Sequence, residues 1–124
     1  MTQEEKQLLL QDLCARLPYL VKINIRNDYT LTMEDIELNP YHLTTVSYDI
    51  EYRGLRPYLR SMSSMTEEER REYCNECNKV LLMRYRAENH YPVIDWLLSH
   101  HFDFRGLIEK GLALKAPEGM YETE

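Results

Sequence analysis

Glycine is scarce in this 124-residue chain. There are four glycines, widely dispersed, so no glycine-rich loop can be assembled to cradle a phosphate. Cysteines number three, an odd count that argues against a secreted disulfide framework and for a reducing compartment. No apolar run approaches the length needed to span a bilayer. The opening stretch MTQEEKQLLLQDL is acidic and lacks the basic start and long apolar segment of a secretory signal, so a cytoplasmic protein is expected. Basic residues are outnumbered, 15 against 21 acidic ones. The resulting formal charge of -6 argues against broad, sequence-independent affinity for nucleic acid, although a local basic patch is compatible with it. Neither a GxSxG nor an HExxH pattern is present.

The composition is otherwise that of a folded protein, 44% hydrophobic and 29% charged. A chain of this length fits one domain and buries roughly two-thirds of its unfolded surface, so neither metal nor disulfide is needed to hold it together. Tyrosine dominates the aromatics, with ten against two phenylalanines and one tryptophan. A tyrosine packs its ring and keeps its hydroxyl wet, which suits a thin sheet with one solvated face, or a binding surface.

The hydrophobic periods divide the chain into a β-leaning front and a helical back. Thr2 to Leu17 reads as an amphipathic helix with a Thr2–Glu5 capping box, its face formed by Leu9, Leu10, Leu13, Cys14 and Leu17 and its end by Pro18. Leu20 to Arg26 alternates strictly, with Val21, Ile23 and Ile25 on one side, which predicts a half-buried strand followed by an Asn27-Asp28 turn. Tyr29, Leu31 and Met33 continue the period of two. It slips at Glu34-Asp35 and resumes at Ile36 and Leu38, predicting a bulge or tight turn within a second strand. Leu43 to Tyr52 reads as β, with Asp49 to Arg53 open to a short helical turn instead, and Gly54 permits a reversal. Leu55 to Met62 reads as a last strand, placed at an edge because Pro57 lacks the N–H of a central ladder.

From Thr66 the period becomes helical, with Tyr73, Cys77, Val80, Leu81 and Arg84 on one stripe and Glu67, Glu68 and Glu69 at the positive helix end. This helix is expected to fade near Arg86 to Asn89. Pro92 then opens a third helix, expected at the centre of the core with Trp96 as its largest member. Asp103 is expected to cap a short fourth helix ending near Gly111, and the tail from Ala116 to fray. The fold class is therefore α+β: an N-terminal helix, a small antiparallel sheet or partly closed SH3-like barrel of three to five strands, then three helices. Residues 1–62 form the helix plus β region, 63–115 the helical region and 116–124 the tail of a single domain.

Three groups of residues are candidates for chemistry. Cys74 and Cys77, twelve residues before His90, imitate three ligands of a zinc finger. The fourth is missing, and a helical setting places the thiols one turn apart as small buried hydrophobes, so no metal and no cofactor are expected. His100 and His101, with Asp103 close by, could form a carboxylate–histidine site, but there is no nucleophile, and capping a helix end explains them. Arg53, Arg56 and Arg60, interleaved with Tyr52 and Tyr58, form the one concentrated basic-aromatic patch. Such a patch either holds single-stranded nucleic acid or protects an exposed edge strand, with pairing to Glu67 to Glu69 as a further role. Ser61, Ser63, Ser64 and Thr66 have no recognisable base partner and suit turns and caps. No enzyme signature emerges.

Three phrases, DLCARLPY at Asp12 to Tyr19, RPYLRSMSSMTEEE at Arg56 to Glu69 and HHFDFRGLIEKGLALKAPEGMY at His100 to Tyr121, resemble a family of small uncharacterised proteins of gut anaerobic bacteria, their prophages and mobile elements. The resemblance covers about half the chain. It implies a bacterial, intracellular accessory protein, and carries no catalytic residue or cofactor across. Helix capping alone does not demand a phrase as particular as KAPEGMY, which suggests a tail that docks on the domain or on a partner. The expectation is a non-catalytic module with a protein partner. The rival is a nucleic-acid-binding accessory protein that uses Arg53, Arg56, Tyr58 and Arg60.

Overall fold

Thr2 accepts the backbone N–H of Glu5 while Glu5 accepts that of Thr2, and this capping box starts α1 (Gln3–Arg16) as the sequence predicts. The computed structural model describes residues 1–82 and 91–121. Within them α1 is followed by β1 (Lys22–Asn27), β2 (Thr32–Glu37), α2 (Val46–Tyr52), β3 (Arg56–Leu59), α3 (Glu67–Leu82), α4 (Tyr91–Ser99) and β4 (Leu114–Lys115). The four strands make one open sheet in the order β2-β1-β3-β4, antiparallel except for the β3–β4 pair. The fold is α+β. The sheet is mixed and does not close into a barrel.

The alternation in β1 works as read, and Val21, Ile23 and Ile25 are fully buried. Their side of the sheet packs on Leu9 and Leu13 of α1, on Val46 and Ile50 of α2, and on Leu55 and Leu59. β2 departs from expectation. Six consecutive residues pair with β1 from Lys22–Glu37 to Asn27–Thr32, so there is no bulge. The apparent slip arises because Tyr29 and Leu31 belong to the hairpin turn, where Asn27 accepts the N–H groups of Tyr29 and Thr30 and Leu31 has φ 59°.

Three further expectations are corrected along the chain. Leu43 to Tyr52 is not a strand: a 3₁₀ turn (Pro40–Thr44) leads into α2, whose buried Val46, Asp49 and Ile50 follow helical spacing while Tyr48 and Tyr52 point outward. β3 is not an edge, because β4 pairs with Tyr58 and Leu59 and a bridge joins Arg60 to Phe102. Pro57 is tolerated since the parallel ladder begins only at the next residue. No helix follows Asp103. Its carboxylate does cap, accepting from Leu107 and Ile108 N–H at 2.8 and 2.9 Å, but residues 104–111 form a string of turns.

From Ala116 to Tyr121 the tail is docked rather than frayed: Ala116 N–H donates to Leu59, and Tyr121 packs on the core, while 122–124 lie outside the described residues. In α4, Leu97 and Leu98 are buried, whereas Ile94 is exposed and Trp96 only half-buried, packed against Tyr73 and donating to Glu72. The helix therefore lies at the rim of the core, because its far side faces solvent. Arg84, His90 and the expected fading of α3 at 86–89 lie outside the described residues. Among the described residues no helix is long and apolar enough to cross a membrane.

Candidate binding surfaces

The arginines of the basic-aromatic patch are neighbours in sequence but not in space. Arg53 turns toward the hairpin, donating to the Arg26 carbonyl at 2.8 Å and pairing with Asp49 and Asp28 at 3.3 and 3.4 Å. Arg60 turns toward α3, bonding both carboxylate oxygens of Glu69 at 2.7 Å, with its guanidinium 4.3 Å from the centroid of Phe102. Only Arg56 and Tyr58 remain together, on the solvent side of the sheet. Arg56 sits opposite Asn24, is exposed and has no ion pair among the described residues. Tyr58 reaches across β1 to donate to Asp35 at 2.8 Å. Its phenol is raised by burial and then by that bond, and Asp35 is lowered by hydrogen bonds from Asn24 and then Tyr58.

A second surface, absent from the sequence reading, lies where α2 meets the β1–β2 hairpin. The Arg53 contacts bring the end of α2 to Asp28, and Met33 lies over Gly54, its Cε 3.9 Å from where a Cβ would stand. Large exposed side chains occur on both elements: Tyr29, Leu31 and Met33 on the hairpin, and Tyr48 and Tyr52 on α2. The two α2 tyrosine rings pack at a tilt of 44° with centroids 5.0 Å apart. Their i,i+4 spacing was visible, but as long as the segment read as a strand they fell on the same side as Val46 and Ile50.

The third feature is a cleft of about 820 Å³ between the start of α3 and the tail, lined among others by Arg60, Ser64, Glu69, His100 and Tyr121. Hydrogen bonds from Arg60 hold Glu69 down at about 2, against desolvation. His100 packs at a tilt against Trp96, centroids 4.2 Å apart, and approaches Glu69 at 3.5 Å. His101 faces the other way, its ring 3.8 Å from that of Tyr121. Burial pushes His101 down to about 4, helped by the nearby Arg16 and Arg60 cations. With Asp103 engaged in its turn, the three residues do not converge on one point.

Cys74 is exposed and Cys77 half-buried, one turn apart on α3, while His90 lies outside the described residues. Among the described residues no three His, Cys, Asp or Glu side chains form a metal-holding group.

Sequence reasoning also missed a buried charge cluster. Asp12 and Arg16, fully buried in α1, pair at 2.7 Å, and Arg105 bonds the other Asp12 oxygen at 2.5 Å. Arg16 donates in addition to the Phe102 carbonyl at 2.7 Å. The i,i+4 spacing of Asp12 and Arg16 was legible, but it reads equally as a solvated pair.

Comparison of the chain with protein-family models, with curated proteins and with solved structures finds no match.

Proposed function

We propose that the protein is a non-catalytic module that binds another protein through the exposed face of α2. The observation that carries this reading is the pair of exposed tyrosines on α2, Tyr48 and Tyr52, 53 and 58% accessible with ring centroids 5.0 Å apart. Tyrosine is enriched at protein interfaces, and two adjoining rings exposed on one helix face suit the anchor of one. The resemblance of the three phrases supports a place in a bacterial phage or mobile-element complex. The direct test is capture from the host with the wild type and with Tyr48→Ser plus Tyr52→Ser. A protein held by the wild type should be lost by the variant at unchanged melting temperature, and equal retention would refute the surface.

A second reading, binding of single-stranded nucleic acid, is supported by Arg56 and Tyr58 lying side by side on the solvent face with Arg26 and Lys22 of β1. It is weakened by Arg53 and Arg60 being engaged with carboxylates. Salt-sensitive oligonucleotide binding that Arg56→Glu abolishes would favour it, and no binding at low salt would remove it.

A further inference from the structure

The hydroxyl of Tyr121 stands where a rung of the β1–β3 ladder would continue. β1 and β3 pair at Asn24–Arg56 and Ile23–Pro57, and the same register would set Lys22 opposite Tyr58. In place of that rung, Lys22 N–H donates to the Tyr121 oxygen at 2.7 Å, and the Tyr121 hydroxyl donates to the Tyr58 carbonyl at 2.7 Å. The ring lies flat on His101, with an interplanar angle of 20°. Burial pushes the phenol up to about 12, so the proton needed for the second bond stays in place.

This cradle is selective on chemical grounds. It offers one backbone donor, one backbone acceptor and a flat neutral imidazole. A group that fills it must accept and donate from one atom at the tip of an aromatic ring. Phenylalanine would leave Lys22 N–H and Tyr58 C=O unpaired, and sites built around a hydroxyl reject analogues that lack it.

The hold on the segment that delivers Tyr121 is short. β4 has two residues, Ala116 N–H donates to Leu59, and residues 117–120 form a turn closed by Met120 N–H to Pro117. Upstream, Leu107, Leu112 and Ala113 are anchored in the core, so a detachable unit begins at Leu114. Extended, these eight residues reach roughly 26 Å, enough to cross to a neighbouring molecule.

We propose that Lys22, Tyr58 and His101 form a tyrosine-recognition site, filled within the chain by Tyr121, that accepts the Leu114–Tyr121 segment of a second copy in exchange. The exchanged arrangement repeats every contact of the closed one, so its population follows protein concentration against the local concentration of the tethered segment. The inference does not rest on the α2 surface.

The test uses full-length Tyr121→Ala and a fluorescein-labelled peptide, LKAPEGMYETE, followed by anisotropy. The variant should take up the peptide saturably. The wild type, whose own tyrosine competes, should bind it at least tenfold more weakly, and so should the variant offered a peptide with phenylalanine in place of the tyrosine. Equal uptake of the two peptides, or none by a variant that still unfolds cooperatively, overturns the site. Should Tyr121→Ala not fold, Tyr121→Phe takes its place, judged by the same outcomes. For exchange between copies, Tyr121→Ala mixed with His101→Ala should sediment as a heterodimer that neither forms alone, and its absence at high concentration overturns the exchange.

Discussion

Arg60 grips both carboxylate oxygens of Glu69 at 2.7 Å, tying the end of β3 to the first turn of α3. This fork-to-fork geometry is the strongest form of a surface-linked ion pair. Glu69 also accepts the Thr66 N–H, so one carboxylate both caps the helix and anchors it to the sheet. Because its folded-state pKa, about 2, is depressed, the stability it supplies is complete above the usual carboxylate range and is lost as pH falls toward 2. Glu69→Gln keeps the cap and removes the charge. It should lower stability by about 1–3 kcal/mol at pH 7, with the gap to wild type closing near pH 2. Urea melts at the two pH values decide this, and equal stability at pH 7 would show that the pair contributes nothing.

The buried Asp12–Arg16 pair predicts a sharper loss. Asp12→Ala removes the carboxylate shared by Arg16 and Arg105 and leaves a guanidinium with no exposed surface uncompensated. A cost of about 3–5 kcal/mol is expected. Cys14→Ser, on the exposed side of the same helix, should stay within about 0.5 kcal/mol of wild type. Matched denaturation curves separate the two faces, and a reversed order would restore the face first read from the sequence.

Features set by near neighbours were legible. The Thr2 cap, the alternation of Val21, Ile23 and Ile25 and the reversal at Gly54, φ 62°, each depend on a few adjacent residues. In α2, Val46 and Ile50 satisfy both a period of two and i,i+4 spacing, so the hydrophobic pattern alone predicts a strand. Burial of Asp49, which accepts from Thr45 and Arg53, decides for the helix and cannot be seen in a hydrophobic pattern. Pro57 predicts an edge because the strand that covers β3 has only two residues and lies far along the chain, with Leu114 paired to Tyr58. KAPEGMY is more specific than a frayed end requires, yet its anchor Lys22 lies 99 residues before Tyr121, beyond any local rule. The arginine patch failed to stay together for a related reason. Arg53 and Arg60 follow carboxylates on α2 and α3, and only the tertiary fold brings those within reach.

The thiols offer a check on α3. Cys14 and Cys74 are exposed and Cys77 half-buried, so a thiol reagent on the native protein should label two cysteines fast and one slowly, with all three fast in denaturant. Zinc should leave these rates unchanged. Zinc protection of Cys74 and Cys77 together would reinstate a metal role for that pair.

His101 predicts a second, milder acid transition. Its φ of 64° and its ring under Tyr121 keep it half-buried, with Arg16, Arg60 and Lys22 as nearby cations. Desolvation and those cations disfavour the imidazolium, and the folded-state pKa is about 4. Between pH 4 and the unfolded value of about 6.5 the unfolded chain binds more protons at this position, so stability must fall as pH falls through that window. The loss amounts to up to about 3 kcal/mol, complete below pH 4. His101→Asn keeps a residue that tolerates positive φ but removes the titrating ring. The variant should be less stable at pH 7, where the stack on Tyr121 is gone, and should lose less on acidification to pH 4. Wild-type and variant unfolding free energies plotted against pH should therefore converge from above. Parallel curves would mean that His101 titrates normally and that the ring beneath Tyr121 is open to water.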